Sequence, residues 1–293
     1  MENAMPIYSH NPFDATKFPL LVLDVEQQIC RPENEGFRVF HWHEEVQFVY
    51  ILKGIVHFRI YDDEVDLKAG DGMFINQAAL HQIMEKEDCH YHSYIVPIRM
   101  FSFFSGSIME ERDVMAVVKH PSFTCFPMRS GDGRCRQALE ALQKLDSLYF
   151  KKEVVKCSEY RISIQLARVW LELILALPEF PKSMPVLGHE RIRRLISFVH
   201  QNYDKDISLK DIAGAANISQ TECQRCFRTY VQCSPYQYLM RYRLEQSAVM
   251  LKSLNRTITE IAVNVGFNSV SAYIKYFKKF YGVTPSKFRH NKF

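Results

Sequence analysis

The sequence predicts an α+β chain of two domains, an N-terminal β-barrel with amphipathic helices and a C-terminal all-α domain. Two patterns support this: short β-rich runs in residues 37–98, and apolar residues at helical spacing in residues 132–180. The last third of the chain adds an internal repeat with helix start signals. The 293 residues, 47% hydrophobic and 24% charged, suit two modest domains and exclude a disordered or collagen-like chain.

The β-rich region consists of apolar runs separated by turn residues. The runs are EVQFVYIL, IVHFRIY, EVDL, MFIN and YHSYIVPI. Many short strands at this spacing predict an all-β barrel or sandwich. His57, His90 and His92 are expected on the strand surface. The proline-containing segment 1–20 is expected to be an arm over the barrel pocket or a disordered tail.

Residues 132–180 predict two amphipathic helices that pair with each other. The second is apolar on more than one face, so we expect it to pack on the barrel and also on a partner subunit in a homodimer. Burial entirely within one chain is the alternative. The expected domains are a barrel with its arm at 1–131, a helical dimerisation segment at 132–180, a linker at 181–188 and the helical domain at 189–293.

Residues 208–235 and 257–285 resemble each other, which indicates two copies of one structural unit. In each copy a short helix is followed closely by a second one, and Ser or Thr with an acidic residue three positions later marks the start of three of these helices. The second copy turns at Gly266, the residue best suited to a left-handed conformation. Each copy is therefore predicted to be a helix-turn-helix.

Charge is distributed unevenly along the chain. Residues 186–293 hold 17 Lys and Arg against 7 Asp and Glu, while the preceding 185 residues hold 20 against 26. The basic C-terminal third indicates a polyanionic partner, and double-stranded DNA fits a paired helix-turn-helix. The side chains expected to face DNA on the second helix of each copy are Thr221, Gln224, Arg225, Arg228, Ser271, Ile274, Lys275, Lys278 and Lys279.

Residues 235–253 separate the two copies and contain no Gly or Pro after Pro235. They predict one continuous helix of roughly 28 Å. One turn of duplex DNA measures roughly 34 Å. A rigid helix of this length is expected to place both reading helices in successive major grooves.

The C-terminal residues resemble the AraC/XylS-type transcription regulators. The matching motifs are IA (212–213), S-x-x-x-x-x-R-x-F-R (219–228), SP (234–235), R-x-x-x-A (243–248), IA (261–262), GF (266–267), F-K-K (277–279) and G-x-T-P-x-x-F-R (282–289). The resemblance implies a sequence-specific regulator, more often an activator, with RNA polymerase as a further partner. Cys233, Cys223 and Cys226 depart from the family pattern, and the last two are expected to be buried core thiols rather than a redox or metal pair.

The barrel region resembles a cupin, on Gly36, His41, His43, Gln47 and Gly54 and then Gly70, Asn76, Ala78 and His81. In metal-binding cupins the positions of His41, His43, Gln47 and His81 would supply the ligands, with a glutamate where this chain has Gln47. Three imidazoles alone suit Zn, Fe or Mn. We expect instead a pocket for an organic effector and no metal cofactor.

A sugar is the favoured effector, because an aromatic ring beside polar side chains suits hydroxyl-rich rings. The residues expected to bind it are His41, Trp42, His43, Glu45, Gln47 and His81. The protein is expected not to be an enzyme. The alternatives are a metal-dependent cupin enzyme, such as an isomerase or dioxygenase, fused to a DNA-binding tail, and a cupin that serves only as a dimerisation platform.

The expected location is the cytoplasm, with no membrane partner. The N-terminus lacks the pattern of a secretory signal, and the longest apolar stretch, at 169–177, is too short to span a bilayer. The eight cysteines of a chain without an export signal are expected to be reduced thiols.

Overall fold

The computed structural model divides into two compact units, Met1–His189 and Glu190–Phe293. The structure describes residues 7–9, 11–13, 16–27, 29–34, 36–37, 39–61, 63–86, 88–120, 123–150, 156–178, 187–253 and 256–290. Residues 1–6, 10, 14 and 15 of the expected arm and residues 181–186 of the expected linker lie outside the described residues.

The N-terminal unit contains eleven described strands and three α-helices. In chain order they are β1 (Ile7–Tyr8), β2 (Leu21–Glu26), β3 (Ile29–Arg31), β4 (His41–Trp42), β5 (Val46–Lys53), β6 (Ile55–Ile60), β7 (Asp63–Lys68), β8 (Gly72–Ile75), β9 (His81–Glu85), β10 (His90–Val96), α1 (Met115–Val118), β11 (Cys125–Met128), α2 (Arg136–Tyr149) and α3 (Ser158–Ala176). A 3₁₀ turn at Ile98–Met100 follows β10, and a π-helical turn at Glu110–Val114 leads into α1.

The strands form two sheets. One has the order β1-β4-β9-β6-β7, and the other has the order β11-β8-β5-β10-β2-β3. Successive residues of a strand point to opposite faces, so each strand of the six-stranded sheet has an inner and an outer set of side chains. The predicted β-rich runs are confirmed as β5 to β8 and β10. Strands β2 and β3 precede residues 37–98 and were not predicted.

Helices α2 and α3 cover the outer face of the six-stranded sheet. Phe48 of β5 and Tyr94 of β10 share one buried core with Leu142 of α2 and with Leu166 and Trp170 of α3. The Trp170 ring stacks on Phe101 at a centroid distance of 4.8 Å. The predicted pairing of the two helices with each other and with the barrel is therefore confirmed.

His92 corrects one expectation. It was expected on the strand surface, but it is buried, and its ring stacks on Phe150 at 3.8 Å. The reason is that the end of α2 covers the outer face of β10 at this point. His57 and His90 are half-exposed, and His57 contacts Asp66 with its Nδ1 at 2.6 Å.

The C-terminal unit is built of helices. They are α4 (Leu187–Asn202), α5 (Leu209–Ala215), α6 (Gln220–Cys226), α7 (Pro235–Ser253), α8 (Ile258–Asn264), α9 (Val270–Tyr281) and α10 (Pro285–His290). A π-helical turn at Phe227–Val231 extends α6. The α+β fold class and the two helix-turn-helix pairs, α5 with α6 and α8 with α9, are confirmed, and α7 is one continuous helix as predicted.

The helix starts follow the sequence signals. Ser208 and Thr257 each form a complete capping box, with Asp211 and Glu260 respectively. The Ser219 and Ser269 side chains accept hydrogen bonds from the third backbone N–H of α6 and of α9. Each cap satisfies backbone donors that a helix end leaves without a partner.

The buried face of α9 is narrower than the sequence indicates. Tyr273 and Phe277 are fully buried, but Tyr276 and Phe280, expected on the same face, are 40% and 42% exposed. The small core that α7 and α8 form with α9 accommodates only the central row of aromatic rings. The guanidinium of Arg241 lies over the Phe280 ring at 5.6 Å.

The turn between α8 and α9 depends on glycine, as predicted. Gly266 has a φ of +82°, and an added Cβ would lie 2.6 Å from the Tyr203 carbonyl oxygen and 2.9 Å from the Arg243 guanidinium carbon. Arg243 is buried here and donates to the carbonyl oxygens of Tyr203 and Lys205 at 2.7 Å each. Gly266 thus provides both the left-handed turn and the space for Arg243.

Replacing Gly266 with alanine should destabilise the protein more than Gly282→Ala. Gly282 also has a positive φ of +75°, but an added Cβ there meets nothing within 4 Å. Gly282→Ala should cost about 1–2 kcal/mol for the left-handed backbone, and Gly266→Ala should cost more because the Cβ collides. Urea unfolding followed by circular dichroism measures both. Equal losses would contradict the collision.

Candidate functional site

Three of the predicted site histidines come together inside the N-terminal unit. His41 of β4 and His81 of β9 are direct partners across an antiparallel pair, and their ring centroids lie 4.1 Å apart. His43 follows β4, with its ring 5.8 Å from His41 and 5.2 Å from His81. One ring nitrogen of each lies within 4.8 Å of the others.

In all three rings Nδ1 contacts a backbone carbonyl oxygen. The carbonyls and distances are Val39 at 2.9 Å for His41, Glu45 at 3.1 Å for His43 and Ala79 at 2.8 Å for His81. A carbonyl only accepts, so Nδ1 is the donor and Nε2 keeps the lone pair in each neutral ring. This carbonyl contact is the arrangement that orients a metal-binding imidazole.

Burial keeps two of the rings neutral. It lowers the pKa of His41 to about 3, with a smaller effect from the neighbouring His43. The pKa of His81 is also well below its ordinary value, through burial first and then through His41 and His43. His81 Nε2 is buried without a hydrogen-bond partner among the described residues. Both imidazoles therefore offer lone pairs at neutral pH.

Gln47 occupies the fourth position of the cluster. Its side-chain amide contacts His43 Nε2 through Oε1 at 3.0 Å and Ser93 Oγ through Nε2 at 2.6 Å. Since His43 Nδ1 already donates to a carbonyl, rotating the amide by 180° lets it donate to His43 and accept from Ser93. The three histidines fit a divalent metal, but metal binding at His43 Nε2 would displace the Gln47 amide.

A small cavity lies beside this cluster, and His41 and Gln47 are in its lining. Its volume of ≈ 20 Å³ suffices for about one water molecule. Trp42, predicted to hold a sugar ring, is instead 1% exposed and packs at 6.4 Å from the Tyr8 ring. The residues expected to form one effector pocket are therefore divided between this interior cluster, the core and a second cavity.

The second cavity is a cleft of ≈ 270 Å³ that contains Glu45. Glu45 is 6% exposed, and its Oε2 is buried without a hydrogen-bond partner among the described residues, 3.8 Å from His43 Nδ1. The cleft is lined by Tyr8, Glu44, Glu45, Gln77, Pro97, Ile98 and Arg99. Sequence reasoning named Glu45 but missed Tyr8, Gln77 and Arg99, which come from three separate parts of the chain and share no local pattern.

In the C-terminal unit, all nine side chains predicted to face DNA are exposed. Four lie on α6 and the turn that extends it, and five lie on α9. The Arg225 side chain is 73% exposed and donates to Glu222 Oε1 at 2.8 Å, and Arg191 donates to the same oxygen at 3.2 Å. Cys223 and Cys226 lie on the buried face of α6, as expected of core thiols. Burial raises the pKa of Cys223 to about 12.

Comparison with known proteins agrees with both halves of the structure. The helix-turn-helix domain family matches residues 212–291, and the cupin domain family matches residues 30–94. An uncharacterized HTH-type transcriptional regulator of Bacillus subtilis is 30% identical over 264 residues, which are 87% of each chain. The chain belongs to the AraC family of transcription regulators.

Two further relatives of this AraC-family regulator carry the names of sugar operons. The raffinose operon transcriptional regulatory protein of Pediococcus pentosaceus is 22% identical over 273 residues, 92% of each chain. The melibiose operon regulatory protein of Escherichia coli K12 is 21% identical over 259 residues, which are 85% of this chain and 82% of that protein. The resemblance read from the motifs is confirmed, and the protein is a DNA-binding transcription regulator.

Among the described helices of the AraC-family chain, none combines the length and apolar character that crossing a bilayer requires.

Proposed function

We propose that this regulator is controlled by a hydroxyl-rich small molecule, such as a sugar, that binds in the cleft at Glu45. The observation that carries the proposal is the buried Glu45 Oε2, which has no hydrogen-bond partner in the part of the chain that the structure describes. Buried acceptors in native proteins nearly always have partners, so an orphaned one in a cleft suits a ligand hydroxyl. The names of the raffinose and melibiose operon relatives support a sugar.

The chemistry of the cleft supports the same class of ligand. Glu44 and Glu45 provide carboxylate acceptors, Arg99 provides donors, and Gln77 provides both. The cleft approaches the lower end of the volume range of small-molecule sites, roughly 300–1,000 Å³. Behind Glu45, His43 contacts the Glu45 backbone carbonyl and the Gln47 amide, and its ring lies beside those of His41 and His81. These residues and the buried Trp42 would act on the effector as the packing behind the cleft.

For DNA recognition, we propose that α6 and α9 lie in major grooves. Thr221, Gln224, Arg225, Ser271 and Ile274 would contact base edges. Arg228, Lys275, Lys278 and Lys279 would contact phosphates. Their shared exposure supports this assignment.

The outer face of α3 supports a homodimer. Tyr160, Ile164, Leu171 and Leu175 are exposed apolar residues at helical spacing, so they form one stripe along the helix. The opposite face of α3 packs in the core through Leu166 and Trp170. We propose that this stripe, defined by its four residues, packs against the same stripe of a second copy.

The family resemblance supports a cytoplasmic location and a role as an activator. The regulator acts in the cytoplasm as an activator that recruits RNA polymerase. The effector and dimerisation segments lie within residues 1–131 and 132–180, followed by the linker at 181–188 and the DNA-binding domain at 189–293.

The three-histidine cluster favours one alternative, a metal-dependent enzyme. His41, His43 and His81 would hold the metal, and a bound metal would supply Lewis-acid chemistry. The small cavity beside the cluster and the amide at Gln47 argue against a substrate there. Metal-dependent turnover that is lost in a His41→Asn variant would establish the enzyme.

Arg225→Ala and Lys278→Ala should weaken DNA binding in different ways. Arg225→Ala should cost about 1–3 kcal/mol on a duplex selected from a random pool by the wild-type protein, and much less on unselected DNA. Lys278→Ala should weaken binding to both duplexes alike and reduce the salt slope by about 1. Fluorescence anisotropy at several salt concentrations measures both. An equal loss for Arg225→Ala on both duplexes would make Arg225 a phosphate contact.

A sugar that binds the cleft should stabilise the chelator-treated full chain. A panel of saccharides that includes raffinose and melibiose is screened by thermal shift. At a hundred times its dissociation constant, a bound sugar should add about 2.7 kcal/mol. Glu45→Gln should weaken the binding of each hit at least tenfold, whereas Glu64→Gln, an exposed glutamate on β7, should not. Equal affinity in wild type and Glu45→Gln would place the sugar elsewhere.

Introducing charge into the α3 stripe should separate the subunits. Ile164→Glu/Leu175→Glu should sediment as a monomer with an unchanged circular dichroism spectrum, because two buried charges oppose each other in the dimer. Lys144→Glu, on an exposed position of α2, serves as the control. Analytical ultracentrifugation measures the oligomeric state of each variant. A double variant that stays dimeric would show that the subunits do not meet at the α3 stripe.

A further inference from the structure

A second cluster of polar side chains lies on the outer face of the six-stranded sheet, apart from the interior histidine cluster and the cleft at Glu45. His90 and His92 are two residues apart on β10, and Asp24 of β2 is the direct strand partner of His92. Asp24 Oδ1 lies 2.8 Å from His90 Nε2 and 3.4 Å from His92 Nε2. One atom of each residue lies within 4.8 Å of the others.

The His92 ring is oriented by contacts with Asp146 and Phe150. Its Nδ1 contacts Asp146 Oδ1 at 2.5 Å, and the Tyr94 hydroxyl donates to the same oxygen at 2.7 Å. Phe150 stacks on the face of the ring. Because the carboxylate accepts, His92 donates from Nδ1, and Nε2 is the ring nitrogen that faces Asp24.

This arrangement brings the Nε2 atoms of two imidazoles to the same carboxylate oxygen, Asp24 Oδ1. A cation that replaces the proton between His90 and Asp24 would be attracted by the Asp24 carboxylate and would face His92 Nε2, 3.4 Å from the same oxygen. The carboxylate behind His92 is the partner that metal-binding histidines commonly have. The cluster therefore has the ligands of a metal site and the contact that orients one of them.

We propose that Asp24, His90 and His92 bind a divalent transition-metal ion of the Zn²⁺ type. Imidazole nitrogens with one carboxylate suit Zn²⁺, Co²⁺ or Ni²⁺ better than Ca²⁺ or Mg²⁺. With bonds of roughly 2.0–2.1 Å, tetrahedral ligand atoms lie about 3.3 Å apart. The His92–Asp24 distance of 3.4 Å matches this value, and the His90–Asp24 distance of 2.8 Å is about half an ångström shorter.

The exposure of the three side chains agrees with an ion that enters from solvent. Asp24 and His90 are 31% and 27% exposed, and His92 is 6% exposed. An ion held from the protein side by these ligands keeps an outward position for water. Since adjacent residues of β10 point to opposite faces, this site is separate from the interior cluster that Gln47 and Ser93 join.

The consequence of binding is structural. The ion joins β2 to β10, and Asp146 continues the connection into α2. Metal binding should therefore stabilise the packing of α2 on the sheet, and the melting temperature of the full chain should rise with added metal.

The test uses the full chain, stripped of metal by a chelator and titrated with Co²⁺ alone while visible absorption is recorded. Wild type should develop the d–d bands of nitrogen- and oxygen-bound Co²⁺, and added Zn²⁺ should remove them. His90→Asn and Asp24→Asn, both at half-exposed positions, should each weaken Co²⁺ binding at least tenfold. His57→Asn is the matched control, a half-exposed strand histidine also paired with a carboxylate, and should bind as wild type does.

Two further variants distinguish the sites and the roles. His41→Asn removes a nitrogen from the interior cluster and should leave the affinity at Asp24, His90 and His92 unchanged. Asp146→Asn should keep the stoichiometry but lower the affinity roughly 10- to 100-fold, as expected of a positioning residue. Near-ultraviolet circular dichroism checks that each variant is folded.

The proposal is overturned if wild type shows no Co²⁺ bands, or if folded His90→Asn and Asp24→Asn both bind as tightly as wild type. Loss of all binding in His41→Asn alone would assign the ion to the interior cluster and would equally overturn it.

Discussion

The packing of α2 and α3 on the outer face of the six-stranded sheet is the constraint on which the rest of the N-terminal unit depends. Phe48 and Tyr94 of the sheet and Leu142 and Trp170 of the helices form one buried core. Burying a side chain of this size contributes about 1.5–3 kcal/mol, so these contacts form a large part of the stability of the unit. Gln47 of β5 and Ser93 of β10 point to the opposite, inner face of the sheet, where their side chains bond to each other.

This division explains why one strand serves two clusters. On β10, Ser93 points into the barrel and bonds to Gln47, while His92 and Tyr94 point outward to Asp146 of α2. The backbone of β10 therefore connects the interior cluster on one face with α2 on the other.

Local signals were sufficient to predict the two helix-turn-helix pairs of the C-terminal unit and the helix α7 between them, whereas α4 and α10 were not predicted. The starts of α5, α6, α8 and α9 depend on a cap and its partner three residues away, and the turn at Gly266 depends on one backbone angle. The interior histidine cluster was also predictable, because the spacing of the cupin resemblance places His41, His43 and His81 together. These features are set by residues close in sequence or by a repeated motif.

The features that sequence reasoning missed depend on contacts between distant segments. His92 reads as a surface residue on an alternating strand, and only the arrival of Phe150 from α2 buries it. The cleft at Glu45 is lined by Tyr8 of β1 and by Arg99 of the turn after β10, which are far apart in the sequence. Trp42 was expected to face a ligand, but its large apolar ring gains more from burial in the core.

The most direct test of this account is native-state hydrogen exchange of the full chain, resolved to the backbone amides of β5, β10, α2 and α3. If the helices and the sheet form one cooperative unit, the slowest amides of α2 and α3 should exchange with the same free energy of opening as those of β5 and β10. Slow exchange in the strands together with helix amides that open several kcal/mol more easily would contradict the account, because the helices would then be an attachment to an independently stable barrel.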